Sequence, residues 1–130
     1  MTEREEIRVE GQPEPLSHYT DAVRAGDLLF VSGLIGVDGE GRLVGGEDVV
    51  AQTRQVFENL RAVLEAVGCG FGDVVKVTVF LTDVDDRPLI NPVRQEVFGT
   101  ARPASTLVEV SALAVPGALL EIEAVAAIPL

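Results

Sequence analysis

Cysteine, histidine and tryptophan are almost missing from this chain: its 130 residues contain one cysteine, Cys69, one histidine, His18, and no tryptophan. A lone cysteine excludes an intramolecular disulfide and a multi-thiolate metal site within one chain. No grouping of His, Cys and carboxylate residues has zinc spacing, so neither a metal nor a cofactor is expected. Bases are scarce too, with 10 Lys and Arg against 21 Asp and Glu and a formal net charge of -11. Arg24, Arg42, Arg54, Arg61, Lys76, Arg87, Arg94 and Arg102 are spread along the chain instead of gathered in a patch, which argues against nucleic acid as a partner. No run approaches the roughly 18 apolar residues that span a bilayer, so no membrane association is expected. The acidic start Met1-Thr2-Glu3-Arg4-Glu5-Glu6 is the opposite of a signal or transit peptide, and a cytoplasmic protein is expected.

What the chain does have is aliphatic bulk: 47% of residues are hydrophobic, enough at this length for one domain over residues 1–130. Tyr19 to Arg24 and Leu28 to Ser32 read as two strands joined by the glycine turn Ala25-Gly26-Asp27, after a polar, proline-bearing start. Asp38-Gly39-Glu40-Gly41 and Gly45-Gly46 are turns. They lack the lysine and the spacing of a phosphate loop, as does Gly68-Cys69-Gly70. From Asp48 to Val67, the positions Val49, Val56, Leu60, Val63, Leu64 and Val67 form one stripe of an amphipathic helix that Gly68 closes. Val74 to Leu81 reads as a central strand. Asp85-Asp86-Arg87-Pro88 and Asn91-Pro92 both read as helix starts, giving one turn and then a short helix ending near Phe98-Gly99. Thr106 to Ser111 and Leu119 to Ile128 read as closing strands around Pro116-Gly117. The order β-β-α-β-α-β-β, with two helices on one face of a mixed sheet, is an α+β fold. The other face must then be covered, and Leu107, Val110, Ile122, Val125 and Ala127 are assigned to it, which implies self-association.

The segment Arg102-Pro103-Ala104-Ser105-Thr106-Leu107-Val108-Glu109-Val110, with Leu120-Glu121-Ile122-Glu123-Ala124-Val125-Ala126 after it, resembles the closing signature of the Rid/YjgF family. Tyr19, Gly26, Ser32-Gly33, Gly36, Gln52, Asn59, Gly68, Asp73-Val74-Val75-Lys76, Val79-Phe80 and Asp83 extend the likeness over most of the chain. The resemblance implies a chorismate-mutase-like homotrimer whose sheets pack round a central barrel, with a small-molecule ligand cleft between subunits. It implies a cleft built from Tyr19, Ser32, Gly33, Ser105, Thr106, Leu107 and Glu121. The best-known relatives hydrolyse reactive enamines and imines: an arginine in Pro-Ala-Arg-Ser grips the substrate carboxylate, and a water positioned by a glutamate and a backbone carbonyl attacks the imine carbon. Glu121 matches that glutamate and is the one candidate catalytic residue.

Two positions depart from the pattern. The arginine is Ser105, which cannot supply a planar charged fork, and the family's cleft cysteine is Leu107. Arg102, three residues earlier, would have to fold back round Pro103 to replace the arginine, and a solvated loop arginine is the simpler reading. His18 precedes Tyr19 and falls on the other side of its strand if the backbone is extended there. Cys69 has no basic neighbour to lower its pKa. Two readings follow. One is a hydrolase of an imine, enamine or related molecule without a free carboxylate, a poor catalyst for 2-iminoalkanoates. The other is a non-catalytic trimer that binds a metabolite or a partner. A ribonuclease, a label some relatives carry, is disfavoured by the net charge, the single histidine and the lack of a basic stripe.

Overall fold

The computed structural model describes residues 3–130; Met1 and Thr2, the first residues of the acidic start, lie outside it. Six strands form one sheet: β1 (Arg4–Ile7), β2 (Ala22–Ala25), β3 (Leu28–Leu34), β4 (Val74–Leu81), β5 (Ala104–Glu109) and β6 (Leu120–Ala127). Their order across the sheet is β1-β2-β3-β6-β4-β5, antiparallel throughout except for the β4–β5 pair. Two helices, α1 (Val49–Glu65) and α2 (Arg87–Phe98), pack against it, so the α+β class read from the sequence holds.

The expected β2–β3 hairpin turns on Gly26 and Asp27, with Ala25 paired to Leu28 and Gly26 at φ +62, the pattern of a type II′ turn. Strand β2 starts at Ala22 and not at Tyr19, leaving Tyr19 in an exposed segment ahead of it. An extra edge strand, β1, pairs with β2. Its sequence Arg-Glu-Glu-Ile carries no alternation because it is held by ladder hydrogen bonds at the sheet edge and not by burial.

Helix α1 begins where Asp48 accepts from the amides of Val50 and Ala51 at 3.0 and 3.2 Å. It ends in a Schellman motif: the Cys69 amide donates to the Leu64 carbonyl, the Gly68 amide to that of Glu65, and Gly68 takes φ +78. Helix α2 is longer than its two helix-start signals imply. It follows a 3-10 turn at Val84–Asp86 and runs through Pro92, whose missing N–H falls opposite the exposed Pro88. Water can satisfy that carbonyl, which softens the usual penalty of about 3 kcal/mol for an interior proline. Phe98 at its end meets Phe57 and Phe71 edge to face, with centroids 5.6 and 5.9 Å apart, and this fixes the end of α2 against α1.

The core lies between helices and sheet. Leu29, Val31, Val77, Val79, Leu81, Leu120, Ile122, Ala124 and Ala126 face the helices together with Val56, Leu60, Val63, Leu64, Ile90 and Val93. Two expected open-face residues are therefore on this side. Ile122 shares the parity of Leu120 and Ala124, and Leu107 is in register with buried Val79 in the parallel pair. Val110 falls beyond the end of β5. Val125 and Ala127 do face outward, joined by Val23, Leu28, Phe30, Phe80 and Val108 through the cross-strand pairs Phe30–Val125, Leu28–Ala127, Val23–Phe30 and Phe80–Val108. Strand β4, expected at the centre, is one strand in from the β5 edge; β3 and β6 hold the middle.

Gln52 is buried in α1, and its carboxamide does the work of three backbone partners. Nε2 donates to the carbonyls of Gly46 and Gly117 at 2.6 and 3.0 Å, and Oε1 accepts from the Leu119 amide at 2.9 Å. Gln52→Leu, which keeps bulk but orphans these groups, is expected to cost about 3 kcal/mol, since each buried unpaired polar group costs roughly 1–3 kcal/mol. The change should appear as a lower urea midpoint at unchanged slope and fixed protein concentration. A midpoint equal to wild type would show that the carboxamide is not what ties these turns together.

Candidate functional site

Two clefts flank the sheet. The first, about 510 Å³, lies between the segment before β2 and the stretch after β3, and is lined by Leu16, Tyr19, Asp21, Ser32, Gly33 and Asn59 among others. The Tyr19 ring is half-exposed and its hydroxyl accepts from the Leu16 amide at 3.1 Å. Ser32 donates from Oγ to the Thr20 carbonyl at 2.6 Å, leaving its oxygen lone pairs as acceptors. Asp21, buried at the back of the cleft, accepts from Arg8 and from the Val9 amide, the latter at 2.7 Å.

Gly33 sits where the β3–β6 register shifts between Val31 and Leu34, and Glu121 of β6 packs directly on it. A methyl group on Gly33 would stand 2.7 Å from Cδ of Glu121, so only glycine leaves room for the carboxylate. Burial pushes the Glu121 pKa up from the usual carboxylate value, and the neighbouring Glu123 carboxylate pushes it further the same way. A half-buried carboxylate with a raised pKa, lying against the glycine that lines a cleft, is suited to accepting a proton more readily than an ordinary carboxylate.

Four of the seven expected site residues, Tyr19, Ser32, Gly33 and Glu121, thus gather on one side of the molecule. The other three do not join them within one chain. Strand β5 is the far edge, three ladder steps from β3, or about 14 Å at the usual strand spacing. Its residues alternate as a strand must. Ser105 turns to the helix side, where Arg94 of α2 donates to its Oγ at 2.7 Å. Thr106 faces the open side and accepts from Lys76 Nζ at 2.7 Å, and Leu107 packs on the core from the helix side.

The second cleft, about 500 Å³, lies here between the C-terminal half of α2 and the start of β5, with Arg94, Phe98, Arg102, Pro103 and Ser105 in its wall. Arg102 lines it from an exposed position, His18 is exposed ahead of Tyr19, and Cys69 is buried, with its pKa raised by burial and then by Asp73. Among the described residues no cluster of three or more His, Cys, Asp or Glu is arranged to hold a metal ion, and no helix is long and apolar enough to cross a membrane. Sequence reasoning missed Asp21 and Arg94. Asp21 reads as part of a strand, and Arg94 carries no local signal because its partner lies eleven residues on in another element.

The family model described as Endoribonuclease L-PSP matches residues 9–128. A RutC family protein of Pyrococcus horikoshii is 46% identical over 124 residues, which cover 95% of this chain and 97% of that protein. A 2-iminobutanoate/2-iminopropanoate deaminase of Mus musculus is 36% identical, covering 95% of this chain and 90% of that protein. The crystal structure of the YjgF gene product from E. coli superposes with a TM-score of 0.86 at 35% identity, covering 95% of this chain and 98% of the other. Sequence match, fold and the ordered set of site residues converge on one assignment: the chain belongs to the Rid/YjgF family.

Proposed function

We propose that the protein is a cytoplasmic homotrimer that hydrolyses the C=N bond of a small imine or enamine in clefts completed between subunits. The observation that carries this is the Glu121 carboxylate, half-buried with its pKa raised by burial and packed on Gly33, which shares a cleft wall with Tyr19 and Ser32. A mouse relative named for imine deamination supports the reaction class. Glu121 takes a proton from water as the water oxygen bonds to the imine carbon, and the C=N π pair moves onto nitrogen. That proton passes to the nitrogen to complete the carbinolamine; the carboxylate then carries the carbinolamine hydroxyl proton to the same nitrogen, and ammonia leaves as the C=O bond forms. The net change is imine plus water to carbonyl plus ammonia. An RNA substrate is not inferred from the family model's description, because a chain of net charge -11 repels polyanions. The expectation of a substrate without a free carboxylate follows from Ser105 taken alone.

Assembly rests on the open sheet face, where Leu28, Phe30 and Val108 are 40%, 45% and 39% exposed, apolar surface that association with further copies would cover. It rests equally on the separation of the half-sites, one on the central strands β3 and β6 and the other on the edge strand β5. The protein is expected to sediment at three times its 13.8 kDa chain mass. A stable monomer at micromolar concentration would remove both the trimer and the shared cleft.

Glu121→Gln keeps shape and removes basicity, so it is expected to lower turnover of imines generated in situ by roughly 10²–10⁴-fold while the assembly persists. The pH dependence has a definite sign. The base form exists only above the raised pKa, so the rate should climb with pH along a limb lying above the ordinary value of 4.5. Glu123→Gln removes the second cause of the shift and should move that limb down. By the same linkage the folded chain holds this proton more tightly than the unfolded one, so the contribution of Glu121 to stability falls as pH rises from the ordinary carboxylate value through the raised one. Full turnover in Glu121→Gln would remove Glu121 as the base, and a wild-type protein that turns over no imine would make the non-catalytic binding trimer the better reading.

A further inference from the structure

Between β1 and β2, residues 8–21 hold no helix or strand, yet they carry Tyr19 and build one wall of the first cleft through Gln12, Pro13, Pro15 and Leu16. A stretch of about 12–15 residues without regular structure is uncommon in a compact domain, and with no ladder to join it needs other ties. Side chains supply them. Asp21, the one buried charged side chain among the described residues, accepts from the Val9 amide at 2.7 Å and from Arg8 Nη1. The same guanidinium reaches the wall itself, with Nη1 3.5 Å from the Pro13 carbonyl oxygen and Nη2 3.5 Å from the Glu14 carboxylate. From these contacts we infer that Arg8 and Asp21 are a positioning pair for the reaction: they brace the wall that carries Tyr19 against the strand that carries Ser32 and Gly33. The inference rests on the reading of this cleft as part of the hydrolytic site and adds what holds that site in shape.

Every link in the brace is direct. Ser32 is tied twice to the segment of the pair, its amide donating to the Asp21 carbonyl at 3.0 Å and its hydroxyl to the Thr20 carbonyl at 2.6 Å. A shift of Asp21 therefore moves Ser32, and with it Gly33, the residue on which Glu121 packs. Thr20 is held in turn by its own hydroxyl, which donates to the Ile7 carbonyl at 2.9 Å, at the end of β1. On the wall side the Leu16 amide donates to the Tyr19 hydroxyl at 3.1 Å, so the place of Leu16 sets where the ring stands. A buried carboxylate is tolerated while it is paired; without its partner it leaves an uncompensated charge, and the segment that carries it must move to reach water. An exposed pair such as Arg4–Glu6 on β1 carries no such constraint. Reacting groups misplaced by about 1 Å can lose a hundredfold in rate, so Arg8, which does not itself line the cleft, can still govern turnover.

Tyr19 is the only tyrosine and the chain has no tryptophan, so its fluorescence reports on this wall alone. The test measures acrylamide quenching of that fluorescence, the urea midpoint, and kcat and KM for an imine generated in situ. It compares wild type with Arg8→Met, which keeps the apolar stem and removes the donors, with Arg8→Lys, with the double variant Arg8→Met/Asp21→Asn, and with Arg4→Gln as a control. At unchanged assembly, Arg8→Met should raise the quenching constant about twofold or more and lower kcat roughly tenfold, Arg8→Lys should recover part of both, and Arg4→Gln should move neither. The double variant separates positioning from mere stability. It leaves no unpaired buried charge, so its urea midpoint should regain most of what Arg8→Met loses, yet quenching and kcat should stay impaired because the tie between wall and strand is still missing. The inference is overturned if Arg8→Met is quenched no more than wild type, or if the double variant returns quenching and kcat to wild type together with the midpoint. Should Arg8→Met fail to assemble, the double variant alone carries the comparison. The quenching arm needs no turnover: if wild type hydrolyses no imine, the hydrolase reading fails, and the protection of Tyr19 by itself upholds or overturns the brace.

Discussion

Two amide side chains on α1 set the frame within which everything else in the site is placed. Gln52 satisfies the Gly46 and Gly117 carbonyls and the Leu119 amide, so the entry to β6 is fixed two residues before Glu121. Asn59, nearly two turns on, donates to the carbonyls of Ile35 and Val37 at 3.2 and 2.9 Å, which fixes the chain just after Gly33. One helix therefore positions both the carboxylate and the glycine on which it rests. The closeness is enforced: a methyl group on Gly36 would stand 2.8 Å from the Gln52 carbonyl, so the loop can lie this near α1 only without a side chain there. Polar groups buried in a helix cost free energy unless every one is paired, and no buried side-chain N or O among the described residues lacks a partner. The cost is offset here by backbone groups that would otherwise be orphaned in turns with no ladder to join.

Where burial decided the structure, the sequence was readable. The apolar stripe from Val49 to Val67 predicted α1 and its closing glycine, and the β-branched, almost wholly apolar run from Val74 predicted β4. Where pairing or tertiary contact decided it, the reading failed. Strand β1 is polar because only its ladder holds it, and Tyr19 falls outside β2 because the chain around it is pinned by Ser32 donating to the Thr20 carbonyl. The faces of β5 and β6 were misassigned at Leu107 and Ile122 because hydrophobicity alone does not fix parity. A strand flanked by a parallel partner shows apolar residues on both sides, and only the register with Val79 resolves it.

The site was legible to different depths for the same reason. Ser32, Gly33 and Glu121 lie on the adjoining strands β3 and β6, with Tyr19 across the same cleft from Ser32 and Gly33, so a resemblance spread along the chain also picks out neighbours in space. Ser105 to Leu107 belong to the opposite edge, and no one-dimensional pattern says whether two edges meet through another copy. Arg94 was invisible for a further reason. On a helix face it reads as an ordinary solvated arginine, and its meaning comes only from the crossing of α2 over β5.

An acidic protein with arginines in the wall of a cleft poses an electrostatic problem that the geometry answers locally. At physiological ionic strength the Debye length is about 8 Å, so the surface charge of -11 is mostly screened at the distances over which a ligand approaches. Inside a cleft the nearest charges and the local dielectric dominate. Arg94 and Arg102 are the charged side chains in the wall of the α2–β5 cleft, while Glu121 lies two strands away on the open face. If Glu121 and Arg94 were neighbours in one chain they would pair with each other, as Arg8 and Asp21 do, and the carboxylate would lose its raised pKa and the guanidinium its free donors. Separating them across the sheet keeps both unpaired in the isolated fold. In the proposed trimer, a second copy of the chain would have to bring its α2–β5 edge towards Glu121 for both groups to face a single ligand.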